Sequence, residues 1–176
     1  MVFLHDKSFV PYLTAEEIGE RVAALGAQIS ADYAGLCPLF IGILNGSFIF
    51  AADLFRALEI DAAISFVKLS SYDGTSSTGH VVRAIGLKED IAGRHVIIVE
   101  DIVDTGKTLH DFLPGLRQQG PASLKIATFL NKESARIAPV TPDYVGFEIP
   151  DRFVVGYGLD YDGLGRQLPG LWQLAG

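Results

Sequence analysis

Ile18, Val22, Leu25 and Ile29 recur at the spacing of one buried helix face. Thr14-Ala15-Glu16-Glu17 supplies a capping box just before them, so a helix is predicted over 15–32. The pattern changes after Pro38. Leu39-Phe40-Ile41-Gly42-Ile43-Leu44 is continuously apolar, as a strand covered on both faces requires. Asn45-Gly46-Ser47 interrupts the run, and helical spacing returns from Phe48 to Leu58. Ala62 to Leu69 predicts a further strand, and the Gly/Ser-rich stretch Ser70 to Gly79 predicts a loop. Val96 to Val99 predicts another buried strand, ending in Glu100-Asp101, with a helix from Thr108 to Gln119 closed by Gly120-Pro121. Leu124 to Leu130 forms the next strand, and shorter β segments follow around 144–147 and 153–156. Strands alternating with helices imply an α/β fold, with a mainly parallel central sheet flanked by helices. Ligands of such sheets sit beyond the carboxyl ends of the strands, which directs attention to the loops beginning at Asn45, Glu100 and Asn131.

Composition narrows the class of protein. The chain has 176 residues, 49% hydrophobic and 20% charged, which predicts one globular domain over residues 1–176. A domain of this size buries roughly 70% of its unfolded surface and needs no metal or disulfide staple. Fourteen Lys and Arg against 21 Asp and Glu give a net charge of −7, and the pI is near 5.0. Nucleic-acid binding normally uses a basic face, so no nucleic-acid partner is expected. The apolar runs are far shorter than the ~20 residues of a membrane-spanning helix, so no membrane is expected either. The one cysteine, Cys37, excludes an internal disulfide and suits a reducing compartment. A soluble, cytoplasmic protein is the expectation.

The densest chemical signal lies between Val96 and Leu109. A buried strand delivers Glu100, Asp101 and Asp104, followed by the small, hydroxyl-rich turn Thr105-Gly106-Lys107-Thr108 and a helix. Gly106-Lys107-Thr108 superficially matches the end of a Walker A loop, but Asp101 stands where that motif requires glycine. Backbone N–H groups and hydroxyls at the helix start can still hold a phosphate. The carboxylates just upstream would repel a bare phosphate. They suit a ligand carrying hydroxyls, or Mg²⁺, beside its phosphate.

This segment resembles the phosphoribosyl-pyrophosphate (PRPP) motif of the phosphoribosyltransferases. From about Val10 to Leu174 the chain is similar to the hypoxanthine (hypoxanthine-guanine) branch of that family. The matching blocks are Gly42 to Ser47, Phe66 to Tyr72, Leu130-Asn131-Lys132 with Arg136, and Pro142 to Arg166. The resemblance implies a type I phosphoribosyltransferase-like fold, with a small hood over the purine base formed by the N-terminal and C-terminal segments. It implies transfer of the phosphoribosyl group from PRPP to a 6-oxopurine base, with Mg²⁺ as cofactor and a homodimer or homotetramer as the assembly.

By the same resemblance, Asp104 is the catalytic proton acceptor near the purine N7. Glu100 and Asp101 hold the ribose hydroxyls, and Thr105, Gly106, Lys107 and Thr108 cradle the 5′-phosphate. Asn45, Gly46, Ser71, Tyr72 and Arg166 face the pyrophosphate, with Ser71 and Tyr72 on a mobile lid. Lys132, Phe153 and Val154 recognise the purine, and Asp160, Glu100 and Asp101 serve the metal. Position 45 departs from the family pattern, which commonly has lysine there; asparagine keeps hydrogen bonding without the charge. Two alternatives remain at this point: a non-catalytic PRPP-sensing regulator that binds nucleic acid, and a phosphoribosyltransferase preferring xanthine.

Overall fold

The computed structural model describes residues 1–72 and 81–176. Its main sheet contains β3 (Leu39–Leu44), β4 (Ala63–Tyr72), β5 (Val81–Ile85), β6 (His95–Val103), β7 (Ser123–Asn131) and β8 (Tyr144–Glu148), in the order β5-β4-β3-β6-β7-β8. All neighbours pair in parallel except β4 and β5, which are antiparallel. Side-chain alternation divides the core between the two faces of this sheet. Phe40, Ile97, Val99 and Phe129 pack with α1 (Ala15–Asp32) and α2 (Phe48–Arg56). Leu39, Ile41, Val96 and Ile98 point the other way, against Leu109, Phe112 and Leu116 of α3 (Lys107–Arg117). Burial on both faces explains why β3 and Val96–Val99 of β6 are uninterrupted apolar runs.

A second, antiparallel sheet has the order β1-β2-β10-β9, from β1 (Val2–Leu4), β2 (Lys7–Leu13), β9 (Val154–Val155) and β10 (Leu171–Leu174). Both ends of the chain therefore build one small sheet, around Leu4, Phe9 and Val155. The family resemblance implies a hood built from these same two segments. Its N-terminal hairpin is absent from the element pattern read along the sequence: β1 is only three residues long, and Pro11 interrupts the strand signal of β2.

Two differences from the expected element boundaries bear on the site. The strand expected to end at Glu100-Asp101 continues to Val103, because β7 keeps pairing with it through Asn131. Ser70, Ser71 and Tyr72, expected in a loop, extend β4 and pair with Arg83, Val82 and Val81. The remainder of the expected lid, residues 73–79, lies outside the described residues. Among the described residues no helix is long and apolar enough to cross a membrane.

The capping box forms as the sequence indicates. Thr14 Oγ1 accepts from the Glu17 N–H at 3.2 Å, and Glu17 Oε2 accepts from the Thr14 N–H at 2.8 Å. Thr14→Ala should destabilise the protein by about 1 kcal/mol, read as a lower urea midpoint with an unchanged denaturant slope.

Candidate active site

The carboxyl ends of β3, β6 and β7 meet beneath the hood. At the end of β6, Glu100 is buried with its Oε1 accepting from the Asp101 N–H at 3.1 Å, while Asp101 Oδ1 accepts from the Ile102 N–H at 2.9 Å. Loss of water, and then the neighbouring Asp101 charge, push the Glu100 carboxyl well above its ordinary value. Gly46, in the loop after β3, lies flat against Asp101. A Cβ at that position would fall 1.7 Å from Asp101 Oδ2, so only glycine allows this approach. The Leu44–Asn45 peptide beside it is cis. Ser47 is buried and donates to the Ile43 carbonyl at 2.6 Å, anchoring the end of the loop, and Asn45 is exposed.

Beyond β6, Asp104 and Thr105 lead to Gly106, whose φ of +79° starts α3. Lys107 and Thr108 are exposed in the first helical turn, where N–H groups have no partner within the helix. The Lys107 N–H also leans on Thr105 Oγ1 at 3.4 Å. Arg136 holds this turn from below. Its guanidinium donates to the carbonyls of Asp104 at 3.1 Å and Val103 at 3.2 Å, and also to Val140 O and Asn131 Oδ1. The Thr105 carbonyl is fixed in turn by the N–H groups of Ile137 and Ala138, each at 3.0 Å. Arg136 belongs to a motif visible in the sequence, but its task of fixing the turn becomes apparent only from the backbone atoms it reaches.

Lys132 follows β7 as Asp104 follows β6. Its side chain is 7% exposed, and the ammonium sits 3.3 Å from Asp104 Oδ2 and 3.2 Å from Asp151 Oδ1. A buried ammonium needs such partners to offset its lost hydration. Asp151 was not singled out from the sequence; its position two residues before Phe153 was the only available hint. On the far side, Arg166 Nη2 lies 2.7 Å from Asp160 Oδ1 and Nη1 donates to Gly158 O at 2.6 Å. Asp160 Oδ2 accepts from the Gly163 N–H at 2.8 Å.

Two cavities result. One, of about 320 Å³, is lined by Leu44, Leu69, Glu100 and the turn through Thr108. The other, of about 240 Å³, is lined by Lys132, Phe153, Val154, Leu159 and Asp160. Asp101, Ile102 and Asp104 belong to both walls, so the two spaces adjoin. A roomier hollow of about 590 Å³ lies between α1, α2 and Gln167–Pro169. It holds none of these acids or Lys132, so the smaller pair is the candidate active site. Ser71 and Tyr72 end β4, the strand paired with β3. Among the described residues, no three His, Cys, Asp or Glu side chains gather into a metal cage.

A parallel sheet with an acidic strand end, a hydroxyl-rich helix start and a separate roof over an adjoining cavity defines the type I phosphoribosyltransferase fold. The chain belongs to the phosphoribosyl transferase domain family, whose model matches residues 12–162. It is 44% identical over 155 residues to the hypoxanthine-guanine phosphoribosyltransferase of Streptococcus pneumoniae, covering 88% of this chain and 86% of that one. It is 46% identical over 163 residues to the Mycobacterium avium protein of the same name, covering 89% and 80%. Among solved structures, a Staphylococcus aureus hypoxanthine phosphoribosyltransferase superposes with a TM-score of 0.88 at 40% identity, covering 94% of this chain and 91% of that one. A Bacillus anthracis hypoxanthine-guanine phosphoribosyltransferase gives 0.87 at 37% identity, covering 97% and 99%.

The raised Glu100 carboxyl has a consequence for stability. The native state holds the proton more tightly than the unfolded chain, so this group makes stability fall as pH rises above about 4.5, the ordinary glutamate value. Glu100→Gln should therefore raise the melting temperature at neutral pH, and the gain should shrink as pH approaches 4.5. Melting curves of both proteins between acidic and neutral pH measure this directly.

Proposed function

We propose that this chain is a purine-salvage enzyme that transfers the 5-phosphoribosyl group of PRPP to a ring nitrogen of hypoxanthine, and of guanine, releasing pyrophosphate and IMP or GMP. The observation that carries the proposal is the buried Lys132 ammonium, 3.3 Å from Asp104 and in the same cavity as Phe153. A lysine there offers the purine O6 only donors, so it favours a 6-oxo group and opposes the 6-amino group of adenine. Phe153 supplies a stacking face and Val154 its backbone polar groups. As the base binds, Lys132 turns from Asp104 to O6, and Asp104 takes up the proton near N7.

In the adjoining cavity Glu100 and Asp101 hold the ribose hydroxyls. Thr105, Gly106, Lys107 and Thr108 take the 5′-phosphate, using the free N–H groups and hydroxyls of the α3 start. Pyrophosphate falls to Asn45, Gly46, Ser71, Tyr72 and Arg166, with the Arg166 fork leaving Asp160 to grip it. Asp160, Asp101 and Glu100 are the residues that would hold Mg²⁺. Their carboxylate oxygens are the hard donors that such an ion prefers. Bound Mg²⁺ supplies charge neutralisation to the departing pyrophosphate. Asp160, freed from Arg166, then presents a carboxylate toward the same region.

The proposal extends to one working domain over residues 1–176, active as a homodimer or homotetramer in the cytoplasm. Exposed Phe48 offers apolar surface for assembly, and a free, exposed Cys37 suits a reducing compartment. A xanthine-preferring enzyme or a nucleic-acid-binding regulator gains no support: the relatives above carry hypoxanthine or hypoxanthine-guanine in their names, and the net charge is −7.

The test is a panel of purine bases assayed with PRPP and Mg²⁺. Hypoxanthine should give IMP, adenine should give little or no AMP, and omission of the divalent ion should abolish turnover. PRPP binding without IMP or GMP formation would overturn the assignment. Asp104→Asn should lower turnover by roughly 10²–10⁴ while weakening PRPP binding less. Lys132→Ala should relax the preference for 6-oxopurines.

A further inference from the structure

Phe153 is 46% exposed, so lateral contacts must keep its ring in one orientation. Two aromatic neighbours provide them. Tyr161 meets it edge-on at 5.7 Å and 86°, and Phe9 of β2 lies tilted at 6.2 Å. Phe9 is wholly buried, whereas Tyr161 is partly exposed and requires an anchor of its own. That anchor comes from the N-terminal hairpin. The Tyr161 hydroxyl donates to Asp6 Oδ1 at 2.7 Å, and Lys7 Nζ lies 5.3 Å from the centre of the Tyr161 ring. His5 meets the same ring edge-on at 5.7 Å, with its Nε2 at 3.1 Å from the Asp162 carbonyl. The Asp6 bond leaves its mark on both partners, lowering the Asp6 carboxyl and raising the Tyr161 phenol.

Tyr161 also immediately follows Asp160, the residue paired with Arg166. A tight turn closes between Tyr161 and Leu164 through mutual backbone bonds of 2.8 and 3.1 Å. One short segment thus carries the arginine partner at Asp160 and the ring support at Tyr161. Residues 5–7, which clasp this segment, precede the span of the family match, residues 12–162.

We infer that Tyr161, anchored by Asp6 of the N-terminal hairpin, is a positioning residue that holds Phe153 in the orientation required to stack on the purine base. The inference rests on the proposed role of Phe153. The phenol–carboxylate bond is charge-assisted and spans more than 150 residues of sequence. It therefore ties the first hairpin of the chain to the wall of the base cavity. Losing the bond lets the Tyr161 ring rotate, and Phe153 then has to be ordered at the expense of base binding.

The experiment uses the full chain with Tyr161→Phe, Asp6→Ala, their double variant and Phe153→Ala. Hypoxanthine and PRPP are each varied at saturation of the other, and melting temperatures are recorded alongside. Tyr161→Phe and Asp6→Ala should each raise the KM for hypoxanthine about threefold to tenfold, with kcat and the KM for PRPP changed by less than about twofold. The double variant should be no worse than the weaker single one, because both substitutions remove the same bond. If Phe153→Ala raises the hypoxanthine KM but neither clasp variant does, the clasp is overturned while the stacking role stands. If Phe153→Ala leaves that KM unchanged, the stacking role fails and this inference fails with it. Parallel increases in both KM values with a matching fall in melting temperature also overturn it, since they mark general loosening of the fold.

Discussion

The register between β6 and β7 sets Val103 opposite Asn131, and the two residues that follow, Asp104 and Lys132, leave the sheet side by side. The Lys132 N–H donates to the Val103 carbonyl at 3.0 Å, so the pairing continues one step beyond the strands. A slip of one residue would turn Val96 and Ile98 toward the α1–α2 face and Ile97 and Val99 toward α3, exchanging two well-packed interfaces. The hydrophobic core thus enforces the register, and the register brings a buried ammonium to its carboxylates. The remaining parts of the site are arranged around that meeting point. Arg136 fixes the turn leaving β6 through carbonyls of Val103 and Asp104, and Gly46 brings the loop after β3 against Asp101.

Charge is local in this design. The net −7 of the chain describes its surface as a whole, whereas the site sets Lys132 between Asp104 and Asp151 and Arg166 against Asp160. Each cation is already held by an acid, so charge-assisted contacts within the protein order both side chains. Glu100 is the exception. Burial, and then the adjacent Asp101 charge, move its carboxyl away from the charged form.

Much of the main sheet was legible in the sequence because doubly covered strands leave continuous apolar runs. Leu39–Leu44 matched its predicted bounds, and α1 was marked by Thr14, Glu17 and the Ile18–Ile29 periodicity. The end of β6 was harder to read: Asp101 and Ile102 follow buried Glu100 without an apolar pattern, and only the continuing ladder to β7 keeps them in the strand. The second sheet left little pattern beyond the segment at 153–156, since its strands are short and drawn from both ends of the chain. Local sequence carries little information about such distant pairing. The PRPP-like motif drew attention to Glu100 through Thr108, but the partners Asp151 and Asp6 are ordinary acids until the fold brings them to Lys132 and Tyr161.

In the proposed function Asp104 and Lys132 act as a coupled pair on one bound base. A double-mutant cycle with Asp104→Asn and Lys132→Met, read in kcat/KM for hypoxanthine, measures that coupling directly. The double variant should lose far less than the product of the two single losses, because each substitution already disables the other residue. Losses that simply multiply would contradict it, by showing that the two residues act independently.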